Sequence, residues 1–328
     1  MSKPSMPPAE TANLIVNELL AIQPGETAAI VTDPETPEEM TEALIHVLSD
    51  AGHEWSVLQQ PARIAEQKNV LNPAIAKGLE AADIMIALTR TGGAPIYSSE
   101  VKTLLDAGTL RFMSMVMRDM VNFTTGGATA DYAALYADGE RLKAIWSEGR
   151  TMHITSEAGT DISAPIASDA VIIECGYATR PGSSAAFSDG EVSSRPLEGR
   201  ANGTFVIDGP CAVIGLPETP IAIDVTNGKV SGIDGTGTQA DRLRQIVDTV
   251  ENADNIAEFG IGLNPACRMN GDFEEEKKLR GNVHIALGDN IFYGGTTQSV
   301  VHMDMVVRAP SVHLDERLLV DRGTVRLG

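Results

Sequence analysis

Between residues 26 and 117 short apolar runs alternate with amphipathic segments, at a spacing that suits a parallel sheet covered by helices. "ETAAIVTD" reads as a short buried strand. "TPEEMTEALIHVLSDAGH" then carries helix punctuation: Thr36 as N-cap, Pro37 at the first helical position, Glu39 closing a capping box and Gly52 as the stop. Met40, Leu44, Val47 and Leu48 recur at helical spacing and form the expected buried stripe. "EWSVLQQ" is the next strand, "NPAIAKGLEAADIMIALTR" a helix and a strand, and "LRFMSMVM" another strand after a short helix. Residues 1–145 are therefore expected to form an α/β domain with a mostly parallel sheet.

Near residue 150 the texture changes. "TMHITSEAGTDISAPI", "GTFVIDG", "IAIDVTNGKVSGIDG", "GNVHIALGD", "VVHMDMVV" and "RLLVDRGTV" are short alternating runs separated by Gly, Asp and Asn. "VTNGKV" predicts a two-residue hairpin, because Asn-Gly suits the two positive φ angles of a type I′ turn. One helix interrupts, "GTQADRLRQIVDTVENAD". Residues 146–328 are expected to form a β-rich α+β domain, and 328 residues suffice for two cores.

The formal charge of −20 argues against nucleic acid or an anionic membrane surface as partner. Cys175, Cys211 and Cys267 are scattered without a CxxC spacing, which fits reduced thiols. The polar, Pro-containing start lacks a signal-peptide core, and no apolar run of about twenty residues follows. The expectation is a cytoplasmic protein whose partner is a small molecule or short peptide.

"SVVHMDMVVR" is the discordant stretch. His302 and Asp304 share one face of an apolar strand, where an imidazole and a carboxylate are costly to bury without partners. An edge strand with both facing water is the ordinary explanation; a shared metal ion is the sharper one. His284 lies in another apolar strand, Glu258 precedes a Gly-rich turn, Glu191 follows Asp-Gly and Glu174 ends a strand. Imidazoles and carboxylates without thiolates suit Zn, Mn, Co or Fe, not a structural cysteine site. Arg180 and Arg195 are candidates for holding a substrate carboxylate, and Glu174 and Tyr177 for lining a pocket.

At "HITSEAGTDISAP", "ECGYATRPG", "EGRANGTFVID", "AEFGIGLNP", "GNVHIALGDN" and "HMDM" the chain resembles the family that joins the metal-dependent leucyl aminopeptidases called aminopeptidase T with 2,5-dihydroxypyridine 5,6-dioxygenase. On the aminopeptidase side the resemblance implies two metal ions at Glu191, Glu258, His284, His302 and Asp304. Those enzymes also carry a catalytic tyrosine; the nearest here, Tyr293, falls two positions late. On the dioxygenase side it implies one ferrous ion held by two histidines and an aspartate. The second histidine and the aspartate match His302 and Asp304, and the first histidine falls where this chain has Glu258. Family members are oligomeric, so a homo-oligomer is expected.

Five protein ligands fit two ions about 3.5–4 Å apart with Glu258 as a bridging carboxylate. On that basis the leading expectation is a two-metal hydrolase of an amide bond, aminopeptidase-like or acting on a small amide or lactam. Glu258 is then catalytic, with Tyr293 or Arg195 stabilising the oxyanion. The alternatives are a mononuclear non-haem Fe(II) dioxygenase opening a dihydroxypyridine-like ring, and a non-catalytic member whose polar strand residues form only a network.

Overall fold

The computed structural model describes residues 5–63, 70–90 and 98–327. The chain divides into two compact units, Met1–Ala130 with Cys175–Asp189, and Asp131–Glu174 with Gly190–Gly328. The first unit begins with α1 (Pro8–Asn13), then β1 (Thr27–Thr32), α2 (Glu38–Asp50), β2 (Glu54–Gln59), α3 (Pro73–Leu79), β3 (Ile84–Thr89), α4 (Ser99–Asp106), β4 (Arg111–Val116) and α5 (Met120–Thr124). The second opens with α6 (Tyr132–Glu148), β5 (Thr151–Thr155), β6 (Asp161–Pro165) and β7 (Ile172–Glu174). The chain then returns to the first unit for β8 (Ser184–Ala186). Back in the second unit follow β9 (Glu191–Ser194), β10 (Asn202–Ile207), β11 (Ile221–Thr226), β12 (Lys229–Asp234), α7 (Thr238–Thr249), β13 (Ile256–Gly262) and α8 (Phe273–Glu276). The last strands are β14 (Val283–Gly288), β15 (His302–Val307), β16 (Ser311–Leu314), β17 (Arg317–Asp321) and β18 (Thr324–Val325).

The first unit holds the expected parallel sheet, in the order β2-β1-β3-β4-β8. β1 and β3 are buried almost throughout, as strands covered on both faces must be. Ala29, Val31, Met85, Ala87 and Phe112 pack with Ile75, Leu79 and Val101 of α3 and α4. Met40, Leu44 and Leu48 of α2 are fully buried, each contributing about 1.5–3 kcal/mol, while Val47 is only half-buried.

The expected capping box on α2 does not form. The helix starts at Glu38, Pro37 occupies the cap position and no side chain caps it. Asp33 intervenes: its carboxylate accepts from the backbone N–H groups of Glu35, Thr36 and Arg90 at 2.9–3.1 Å, and from the Thr36 hydroxyl at 3.2 Å. A charged acceptor at the strand end outcompetes the helix for Thr36. Gly52 does end the helix, at φ +74°.

The contacts group residues differently from the texture change near residue 150. α6 belongs to the second unit, and residues 175–189 add β8 to the first, pairing Phe112 with Ser184 and Ser114 with Ala186. That pairing covers the edge of β4, which would otherwise present unpaired backbone groups.

The second unit contains two antiparallel sheets, β12-β11-β10-β6-β5-β16-β17-β18 and β15-β14-β13-β9-β7. The Asn-Gly hairpin joins β11 and β12 as expected, with Asn227 at φ 51° and Gly228 at φ 74°. The five-stranded sheet carries the candidate site.

Candidate metal centre

Register places the polar strand residues together. Glu258 and Asp304 both lie opposite Ala286, His284 lies opposite Gly260, His302 opposite Gly288, and Glu191 opposite both Gly262 and Glu174. Directly opposed residues in an antiparallel sheet share a face, as do residues two apart on one strand. Five donors from four strands therefore project from one face, separated by Gly and Ala. β15 is not a water-facing edge: Ala212 N–H donates to the Asp304 carbonyl at 3.0 Å and Val306 N–H to the Pro210 carbonyl at 3.1 Å.

The small residues are what permit this crowding. A Cβ on Gly260 would lie 2.1 Å from the His284 ring. A Cβ on Gly262 would lie 2.4 Å from the Leu279 carbonyl oxygen and 2.8 Å from that of Lys277. Thus "EFGIG" supplies a carboxylate and then two bare positions, one for the imidazole and one for the segment after α8.

Glu258 is the hub. His284 Nε2 is 3.0 Å from its Oε1, and His302 Nε2 is 2.9 Å from its Oε2. His302 Nε2 is also 3.0 Å from Asp304 Oδ1, a buried oxygen without the alignment of a hydrogen bond. His284 Nε2 lies 3.6 Å from Glu191 Oε2. Lys277 Nζ donates to Asp304 Oδ2 at 3.0 Å, and Lys278 Nζ lies 2.6 Å from Glu191 Oε1. Glu191, Glu258, His284 and Lys278 are each no more than 3% exposed, whereas the His302 side chain is 20% exposed.

The charges lock one another. Burial pulls the His284 imidazole down, but Glu191 and Glu258 outweigh it and raise it to about 8. Burial also opposes charge on His302, yet Asp304 and Glu258 hold it well above the ordinary histidine value. Burial raises the Glu258 carboxyl, and the two imidazoles more than reverse that. Asp304 is depressed in the same way, by Lys277 and His302 against burial. The Tyr293 phenol is pushed well above its usual value by burial, with Glu258, Glu174 and Glu191 adding to it.

These donors fit a divalent cation. Ligand atoms about 2.0–2.2 Å from one ion and at right angles are about 3.0 Å apart, the separation seen between the imidazole nitrogens and their carboxylate oxygens. His302 Nδ1 donates to the Asp289 carbonyl at 2.7 Å, which leaves Nε2 as the ligating nitrogen of a neutral ring. Nε2 then faces two carboxylate oxygens with at most one proton to share, a conflict a cation resolves. Two overlapping trios meet the requirement of mutual proximity: Glu191, Glu258 and His284, and Glu258, His302 and Asp304.

Of the other expected site residues, Tyr293 stacks on the His302 ring at 6.2 Å between centroids, and its hydroxyl accepts from Ser193 Oγ at 3.2 Å. Arg195 Nε donates to the Tyr293 carbonyl at 3.1 Å and so braces that turn. Glu174 is half-buried beside Glu191 in the register. Tyr177 and Arg180 belong to the first unit, where the Tyr177 hydroxyl donates to Glu18 at 2.7 Å and Arg180 is exposed. Sequence reasoning missed Lys277 and Lys278, because "FEEEKK" looks like a solvated charge run. Among the described residues no helix is long and apolar enough to cross a membrane.

The comparisons with known proteins bear on the chain as a whole. The family model for 2,5-dihydroxypyridine 5,6-dioxygenase (NicX) matches residues 13–327. A 2,5-dihydroxypyridine 5,6-dioxygenase of Pseudomonas putida KT2440 is 26% identical over 268 residues, covering 77% of this chain and 74% of the relative. The solved structure of 2,5-dihydroxypyridine dioxygenase from Pseudomonas putida KT2440 shares the fold, with a TM-score of 0.77, 20% identity and coverage of 97% of this chain and 96% of that one. Wild-type AmpT from Thermus thermophilus shares it at a TM-score of 0.66, with 15% identity and coverage of 97% and 98%. With a match along nearly its whole length, the chain belongs to the 2,5-dihydroxypyridine 5,6-dioxygenase family.

Proposed function

We propose that this protein is a mononuclear metal-dependent dioxygenase that opens an electron-rich, dihydroxypyridine-like ring, with its ion held by Glu258, His302 and Asp304. The observation that carries the reading is this trio: it occupies the three positions where the resemblance places the dioxygenase ligands, and it contains the one donor residue with appreciable exposure. The family match and the dioxygenase relative support the same choice over the hydrolase expected from the ligand types alone.

A ferrous ion in this trio supplies the one-electron chemistry that lets ground-state dioxygen react with a ring. The chain's departure is Glu258 where the dioxygenase has a histidine, giving one imidazole and two carboxylates. Lys277, anchored on Asp304 Oδ2, leaves Oδ1 as the oxygen turned to His302. Asp289 fixes the His302 tautomer through its carbonyl. Tyr293 stays protonated; with its oxygen accepting from Ser193, its own O–H is available to donate to a ring hydroxyl or the developing carbonyl. Arg195 acts through the Tyr293 backbone, holding that phenol in place.

A second reading has its own observation. Glu258 turns its two oxygens to different histidines, each in a separate trio, as a carboxylate bridging two ions of a hydrolase would. One experiment separates them. Protein loaded anaerobically with ferrous ion is given 2,5-dihydroxypyridine in an oxygen electrode, and in parallel an aminoacyl p-nitroanilide. Oxygen uptake matched to ring loss supports the dioxygenase. Amide cleavage without oxygen consumption replaces it with the hydrolase.

A further inference from the structure

The two histidines of the centre differ in what stands behind them. His302 Nδ1 donates to the Asp289 carbonyl at 2.7 Å, which holds the ring proton there and turns the lone pair of Nε2 toward the carboxylates. His284 has no such acceptor: its Nδ1 is buried without a hydrogen-bond partner among the described residues, on a side chain with no exposure. Register accounts for the difference. His302 opens β15 opposite Gly288, the last residue of β14, and the Asp289 carbonyl comes next in the turn. His284 sits between Gly260 and Val306 on two paired strands, whose carbonyls are committed to the ladder, and its ring lies on the bare backbone of Gly260. Only the tautomer with its proton on Nδ1 would bare Nε2 for an ion, and it would leave a buried N–H orphaned, which folded proteins rarely tolerate. Nε2 therefore carries a proton. Glu258 Oε1 is 3.0 Å away and Glu191 Oε2 3.6 Å, so Glu258 alone is within reach to accept it.

We infer that His284 is not a ligand but the positioning residue of Glu258: its Nε2–H donates to Oε1, so that Glu258 meets an ion through Oε2 alone, on the side of His302 and Asp304. A ligating carboxylate needs its free oxygen held in this way if it is to keep one orientation. A carboxylate bridging two ions would need Oε1 as a ligand and Nε2 without its proton, and His284 supplies neither. The inference rests on the one-ion reading above and adds the residue that aims its carboxylate.

The test counts the histidines on the ion. Wild type, His284→Gln, His284→Leu and His302→Gln, each labelled with 15N-histidine, are titrated with Mn(II) and examined by pulsed electron paramagnetic resonance, which reports the histidine nitrogens bonded to manganese. Expected in wild type is one ion coupled to one histidine, a signal that persists in His284→Gln and disappears in His302→Gln. His284→Leu should bind Mn(II) about 10–100-fold more weakly, and His284→Gln, whose amide can still donate to Oε1, should return to within about threefold of wild type. Two histidines on a single ion in wild type, falling to one in His284→Gln, would make His284 a ligand; that overturns the inference and leaves the one-ion reading standing. A single histidine signal that survives His302→Gln would belong to His284 and overturn the inference. Two exchange-coupled ions with His284 on one of them overturn that reading and the inference together. Binding as weak in His284→Gln as in His284→Leu overturns the donor role. Should the His284 variants fail to fold, the histidine count in wild type and His302→Gln decides alone.

Discussion

Gly260→Ala should dislodge His284. The added methyl would start 2.1 Å from the ring's Cε1 and Nε2 and 2.9 Å from Nδ1, whereas ordinary contact begins near 3.4 Å. The ring must withdraw by about 1.3 Å, and its 3.0 Å contact with Glu258 cannot survive that movement. Losing a hydrogen bond to a buried charge costs about 1.5–3 kcal/mol. Overpacking the strand face adds about 1–3 kcal/mol. The variant should therefore lose about 2–6 kcal/mol of unfolding free energy in urea, the better strand propensity of Ala recovering less than about 1 kcal/mol. Gly294→Ala is the control: at φ +69° with no atom within 4 Å, it carries backbone strain alone, about 1–2 kcal/mol. A loss below about 1 kcal/mol for Gly260→Ala would refute the claim that this bare backbone position is what admits the imidazole.

Glu198 accepts from Thr296 N–H and hydroxyl and from Asn290 Nδ2, and the Thr296 backbone bond leads in holding its carboxyl at about 2 against some desolvation. Because that value is depressed, its contribution is present above about pH 4.5 and lost as pH falls toward about 2; hydrogen exchange over residues 289–299 should accelerate in that window in wild type, and a Glu198→Gln variant should show no such step. Arg111 is 4% exposed and donates to Glu26 and to the carbonyls of Leu20 and Thr179, so Arg111→Met should cost about 1–3 kcal/mol in urea unfolding by leaving buried carbonyls unpaired, while Glu26 keeps its bond from Gln23 N–H; a variant as stable as wild type would contradict it. Tyr293→Phe should retain its bound ion and lose about 10²–10³ in kcat with KM little changed, since only the donated proton is removed; unchanged kcat would take the phenol out of the chemistry.

What could be read in the sequence follows physical periodicity. β1, β3 and β4 were visible because strands buried on both faces are apolar runs, and the β11–β12 hairpin because Asn-Gly tolerates two positive φ angles. The donors stood out because His302 and Asp304 interrupt an apolar strand, and the structure brings them to Glu258. Three features were hidden for identifiable reasons. β8 is only Ser-Ala-Ala, whose backbone pairing with β4 leaves no hydrophobic signature. Thr36 sits in a good cap sequence, but Asp33 claims it through contacts that spacing rules do not weigh. Lys277 and Lys278 follow three glutamates and read as solvated; their burial depends on Gly262, fifteen and sixteen positions upstream.

Anomalous diffraction at the metal edge, from crystals loaded anaerobically with a single type of divalent ion, tests the central claim most directly. One peak per chain, bounded by Glu258, His302 and Asp304, with the Lys278 ammonium still on Glu191, is the predicted result. Two peaks flanking Glu258, or one between Glu191 and His284, would contradict it.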